Sequence, residues 1–165
     1  MFEKCWNLLN SRGVAQEDMA DLVFFLQSKY YENLTREEVN NALDRVMHKR
    51  EVQNAIITGI ALDLGAEKRT LEDPELTGIL RADEGLYGID EVIGFGICNL
   101  YGSIALTSYG YIDKLKPGIL EKINEKHPGV CNTYLDDIVG AIAACAASSV
   151  AYNRGFGGLM IEILL

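Results

Sequence analysis

A chain of 165 residues, 48% of them hydrophobic and 24% charged, is long enough for one globular domain that buries roughly two-thirds of its unfolded surface. Its 24 acids against 15 bases leave a net charge of −9 with no segregated basic patch, which argues against duplex nucleic acid and an anionic membrane as partners. Proline is scarce and glycine plentiful, chiefly after residue 78, which favours helices over a sandwich of short strands.

The spacing of Phe2, Trp6 and Leu9 predicts a short helix over 2–12, stopped by Gly13. Met19, Leu22, Val23 and Leu26 predict a second helix over 16–30. Thr35 with Glu38 is a capping-box signature, so a third helix is expected over 36–49, with Val39, Leu43, Val46 and Met47 inward. His48, Lys49 and Arg50 read as its solvated end. A fourth helix follows over 52–68, closed by the charged stretch 67–73 and Pro74, and a short one is expected over 75–80. These first eighty residues carry periodic apolar faces and few convergent polar groups, which marks them as scaffold.

Residues 92–112 and 138–153 carry no charge. The first run has the length of a membrane span but contains four glycines, polar side chains and tyrosines. Both runs are therefore read as helices buried in a soluble core, with no transmembrane segment. The helix that begins at Ile89 is expected at the centre of the domain, to be broken by Tyr109-Gly110-Tyr111. Pro117 opens a further helix over 118–126. The last strong helix is expected over 135–152, its Gly140, Ala144 and Ser148 letting another backbone approach closely. The expectation is thus an all-α single domain over 1–154, with scaffold helices over 1–80 and a site region over 83–153. Residues 155–165 form an apolar tail, open between a strand, a contact with a neighbouring subunit and a vector-encoded remnant.

Four cysteines (Cys5, Cys98, Cys131 and Cys145) show no C-x-x-C and no close histidine, so they read as reduced cytosolic thiols rather than a zinc site. Cys98 and Cys145 lie in apolar runs as core residues.

Residues 83–137 concentrate the acids that could do chemistry: Asp83, the pair Asp90-Glu91, Asp113 with Lys116, and the pair Asp136-Asp137. Each pair stands at the start of an uncharged segment, which places it at the mouth of a buried helix. Acids in a first helical turn are also favoured by the helix dipole, so either pair alone is no site. Two facing helix starts would bring four carboxylates together, with Asp83 and Asp113 arriving on loops. Close carboxylates in a dry site must take up protons or a cation. Mg²⁺ suits an oxygen-only set and takes substrate phosphate as a further ligand, and Lys116 offers a point charge to that phosphate.

The segments Asp90-Glu91-Val92-Ile93-Gly94, Asp113-Lys114-Leu115-Lys116-Pro117 and Asp136-Asp137-Ile138-Val139-Gly140 follow one another in an order that resembles the phosphatidylglycerophosphatase A family, whose patterns are D-E-x-x-G, D-x-x-K-P and D-D-x-x-(A/G). The resemblance implies a Mg²⁺-dependent phosphatase of phospholipid metabolism. Its metal ligands or bases would be Asp90, Glu91, Asp113, Asp136 and Asp137, with Asp83 as a further ligand and Lys116 holding phosphate. Residues 1–70 lack the Gly-Thr-x-Gly-Ser motif and spanning helices of the membrane-bound enzymes. The chain is in this respect similar to the soluble Gram-positive branch that includes low-temperature-requirement C proteins, an all-α fold with one central helix surrounded by about five others. A lipid and a small phosphate ester remain open as substrates, as does a non-catalytic metal-binding module. The expected location is the cytoplasm or the membrane periphery. A homodimer is expected from the apolar faces of the N-terminal helices.

Overall fold

The computed structural model describes the backbone of residues 1–163 and the side chains of residues 1–155. Nine helices and no strand occur among the described residues. They are α1 (Phe2–Ser11), α2 (Gln16–Gln27), α3 (Arg36–Met47), α4 (Arg50–Lys68), α5 (Pro74–Ala82), α6 (Ile89–Cys98), α7 (Gly102–Leu115), α8 (Ile119–Asn124) and α9 (Leu135–Ile163). The all-α expectation holds, and local chemistry explains many of the boundaries. The Thr35 hydroxyl accepts the Glu38 amide while Glu38 accepts the Thr35 amide, which starts α3 where the capping box predicts. Asp73 accepts the amides of Glu75 and Leu76 and so caps α5, whose first residue is Pro74.

The central helix is α9, and α2, α3, α4, α6, α7 and α8 pack around it. The sequence expectation placed α6 there instead. Its uncharged run is not one long helix: α6 stops at Cys98, a turn follows, and Gly102 (φ 75°) lets the chain enter α7. Tyr109 and Gly110 lie inside α7 rather than breaking it. Both helices are buried on one face only, because one side of each meets α9.

Through its first four turns α9 is almost wholly buried, which its run of Ala, Gly, Ser and Cys permits by letting neighbours come close. Cys98 and Cys145 pack reciprocally across α6 and α9, with thiols directed at the Ala141 and Ile97 carbonyls, and Ser148 donates to the Tyr101 carbonyl at 3.0 Å. By length and composition Leu135–Gly155 would be apolar enough to cross a membrane, yet 83% of its most apolar stretch is buried within the molecule. The strand reading of the tail is corrected for 155–163, because α9 continues to Ile163. Leu164 and Leu165 lie outside the described residues.

The inner faces of α1, α2 and α3 are consumed in this core through Leu9, Met19, Leu22, Val39 and Leu43. The apolar residues on these faces lie in the core of the single chain. His48, at the end of α3, is exposed and stacks on Phe2 with ring centroids 4.1 Å apart.

Gly59 marks the closest approach of α4 to α9: a Cβ there would lie 2.9 Å from Tyr134 Cβ and nearer still to Ile138 Cδ1. Gly59→Val is expected to destabilise the fold by about 1–3 kcal/mol, since overpacking must push the two helices apart. Urea denaturation of the two proteins measures this, and an unchanged midpoint would refute the close-packing account.

Candidate metal centre

Asp90 and Glu91 occupy the first turn of α6, and Asp136 and Asp137 the first turn of α9. Neighbouring residues on a helix diverge by about 100°, so each pair must split its carboxylates between directions. Asp90, Glu91 and Asp137 turn toward one another and offer oxygens all within 4.8 Å. Asp136 turns instead toward Lys116, whose ammonium donates to it at 2.6 Å and to Asp113 at 2.6 Å. The expected set of six acids thus separates into a triad with Asp90 and Asp137 buried and Glu91 half-buried, and an adjoining Asp113–Lys116–Asp136 bridge. Asp113 lies in the last turn of α7, not on a loop.

Asp83 joins neither group. It is the exposed, left-handed cap of α5 (φ 52°), 3.8 Å from Lys126, although its charge still reaches Asp136. Lys116 is also held in the left-handed region (φ 46°), where an L-residue is strained. Burial would lower its pKa, but the charges of Asp136 and Asp113 outweigh that and hold it above the ordinary lysine value.

The triad is poorly satisfied as it stands. Burial pushes Asp137 up to about 8, with the neighbouring Asp136 charge adding to it against the Tyr109 hydrogen bond. Burial pushes Asp90 up to about 7, reinforced by Glu91. Glu91 Oε2 is buried without a hydrogen-bond partner among the described residues. An acceptor-only oxygen left bare in such a place is costly, and a divalent cation would satisfy it while returning both aspartates to the ionised form. The donor set is oxygen throughout, which fits a hard cation.

Two further residues shape the centre, and sequence reasoning passed over both. The Tyr109 hydroxyl donates to Asp137 Oδ1 at 2.5 Å, and its ring fits between α6 and α9 because Gly94 leaves it room. A Cβ on Gly94 would lie 2.7 Å from Tyr109 Cζ, and one on Gly140 would touch the ring at 3.6 Å. Asp63, fully buried in α4, accepts the Tyr134 amide at 3.1 Å and the Leu135 amide at 3.1 Å. It thereby satisfies amides at the start of α9 that a helix leaves bare. Burial pushes Asp63 up to about 7. Nearby, Arg12 donates to Glu67, to the Cys131 carbonyl and to Asn132, fixing the chain that leads into α9. The available signal for Asp63 was a lone acid inside the apolar run 60–65.

A model of the phosphatidylglycerophosphatase A family matches residues 11–152. The chain belongs to that family. Among its relatives, the uncharacterized protein YutG of Bacillus subtilis is 56% identical over 88% of this chain and 87% of its own length. The crystal structure of the low temperature requirement C protein from Listeria monocytogenes superposes with a TM-score of 0.89 at 52% identity, covering 93% of this chain and 96% of that one. A protein of unknown function from Bacillus stearothermophilus superposes equally well, with a TM-score of 0.89 at 55% identity over 93% and 94% of the two chains.

Two outcomes follow from the buried acids. Asp63→Ala strands two buried amides and is expected to cost about 2–4 kcal/mol by chemical denaturation; a loss under 0.5 kcal/mol would contradict the capping role. Asp63, Asp90 and Asp137 are all raised above their unfolded values near 4, so the folded state holds more protons than the unfolded one between about pH 4 and 8. The stability they contribute is complete at low pH and is lost as pH rises through 7–8. In a chelator, thermal unfolding is expected to show Tm falling from pH 5 to pH 8.5, and a flat or rising Tm would sink this account.

Proposed function

We propose that this protein is a Mg²⁺-dependent phosphatase that hydrolyses a phosphate monoester. The observation that carries the reading is the convergence of Asp90, Glu91 and Asp137, whose carboxylate oxygens lie within 4.8 Å of one another, in a chain of the phosphatidylglycerophosphatase A family. These three residues would hold the cation, which when bound supplies positive charge to offset that of the phosphoryl oxygens. Tyr109 keeps Asp137 turned into the triad through its hydrogen bond.

Lys116 offers its ammonium to the phosphate beside this triad, and its two carboxylate partners keep that charge in place across the neutral pH range. Asp136 is the carboxylate outside the triad, and we assign it the proton of the attacking water. The water oxygen attacks phosphorus, the ester P–O bond breaks, and the proton passes from Asp136 to the leaving alcohol. Asp113 positions Lys116, whereas Asp83 takes no part. We further propose a cytoplasmic location, peripheral at the membrane where the ester is a lipid such as phosphatidylglycerophosphate.

One observation favours a second reading, a non-catalytic metal-binding module: Lys116 is already bonded to two carboxylates and must exchange one of them to meet a phosphate. Phosphate release from a panel of small esters and from phosphatidylglycerophosphate in detergent separates the two. Mg²⁺-dependent turnover is expected, reduced at least 100-fold in Asp137→Asn and about 10- to 100-fold in Lys116→Ala. Saturating Mg²⁺ is also expected to raise Tm by about 5–10 °C in wild type and far less in Asp137→Asn. A Mg²⁺-dependent rise in Tm without turnover on any ester would favour the non-catalytic module; neither effect would overturn the metal centre itself.

A further inference from the structure

Among the described residues, the outward face of α6 carries no partner helix. Ile89, Val92, Gly96 and Leu100 recur at i, i+3, i+7 and i+11, which lines them along one side of α6 and the turn after it. Phe95 flanks this stripe and Leu86 leads into it. Leu86 is 100% exposed, Val92 59%, Phe95 48%, Ile89 47% and Leu100 40%. At ordinary side-chain areas this is on the order of 500 Å² of apolar surface, near the upper end of the ~300–600 Å² of a typical monomer's largest patch. With the polar rim that surrounds such a patch, it approaches the ~800 Å² that each partner gives to a standard interface. Midway along the stripe, a Cβ on Gly96 would meet nothing within 4 Å, so the helix backbone lies open in a notch.

We propose that this face binds a second copy of this chain, in a two-fold dimer whose α6 helices cross antiparallel near Gly96. The inference rests on the fold and the surface, independently of the reaction. A two-fold axis presents the same patch to itself, and with the Gly96 notches facing at the crossing the Val92 side chain of each copy lies against Leu100 of the other. Charge favours this occupant over an anionic bilayer. Residues 82–113 hold no Lys or Arg, while Asp83, Glu84, Asp90 and Glu91 cluster at the N-terminal end of α6. Anionic headgroups would meet those acids with only Lys126, beside Asp83, to compensate. In an antiparallel crossing the acids of each copy lie beside the uncharged C-terminal end of the other α6, and like charges stay apart. Because Ile89 and Val92 bracket Asp90 and Glu91, the second copy also forms a wall beside the acid triad.

Sedimentation velocity of the full chain at about 100 µM, beside Val92→Glu and Gly96→Leu, tests this. Wild type is expected at twice the monomer mass of 18.2 kDa and Val92→Glu at the monomer mass. Val92 is exposed, so the variant retains its circular dichroism and thermal transition when diluted. Gly96→Leu should weaken dimerisation at least ten-fold without lowering the Tm of the dilute protein, since the monomer has room for the side chain and a helix favours it over glycine. A wild type that stays monomeric, or a dimer that survives Val92→Glu, overturns the proposal. So does flotation of wild-type monomer on anionic vesicles that Val92→Glu abolishes.

Discussion

Asp63 accepts hydrogen bonds from the Tyr134 and Leu135 amides, and the acidic end of α9 depends on that contact. The head of a helix buried in the middle of a protein exposes amides that water cannot reach, and each would be costly if left alone. A carboxylate from α4 resolves this and fixes where α9 begins. Because Asp136 and Asp137 follow immediately, the same contact fixes where they point. One buried acid on a scaffold helix therefore positions two others on the central one. The small side chains further along α9 serve the same end, since they let α6 come close enough for its first turn to bring Asp90 and Glu91 alongside.

Tyr109 is the second organising element. Its ring stands between two glycines, Gly94 of α6 and Gly140 of α9, and its hydroxyl ends on Asp137. Both glycines belong to the family's acidic motifs, four residues after Asp90 and Asp136 respectively. Gly94 thus has a physical reason: it clears space for an aromatic ring that restrains a carboxylate, whereas a side chain at Gly140 would only touch that ring. The cost is a strongly raised tyrosine pKa, driven first by burial and then by the Asp137 charge, so the phenol stays protonated as a donor.

Helix α6 has two opposed roles on its two faces. Its inner side carries the buried Asp90, Gly94, Ile97 and Cys98 against α9, and its outer side carries apolar residues in water. A charge-free sequence is equally compatible with full burial inside one chain and with half burial plus an external partner. That ambiguity is why α6 and α9 looked alike in sequence and differ in the fold.

The sequence by itself determined the helix content, many of the helix starts and the order of the acidic motifs that mark the family. These are local properties, set by 3.6-residue periodicity, capping side chains and proline positions within a few residues of one another. It could not say which uncharged helix is central, that Asp136 turns to Lys116 while Asp137 turns to Asp90 and Glu91, or that Asp83 stands aside. It also hid Asp63 and Tyr109, whose partners lie 72 and 28 residues away along the chain. Those outcomes follow from the angular position of each side chain about its helix and from which helices pack together, and only the tertiary structure decides either.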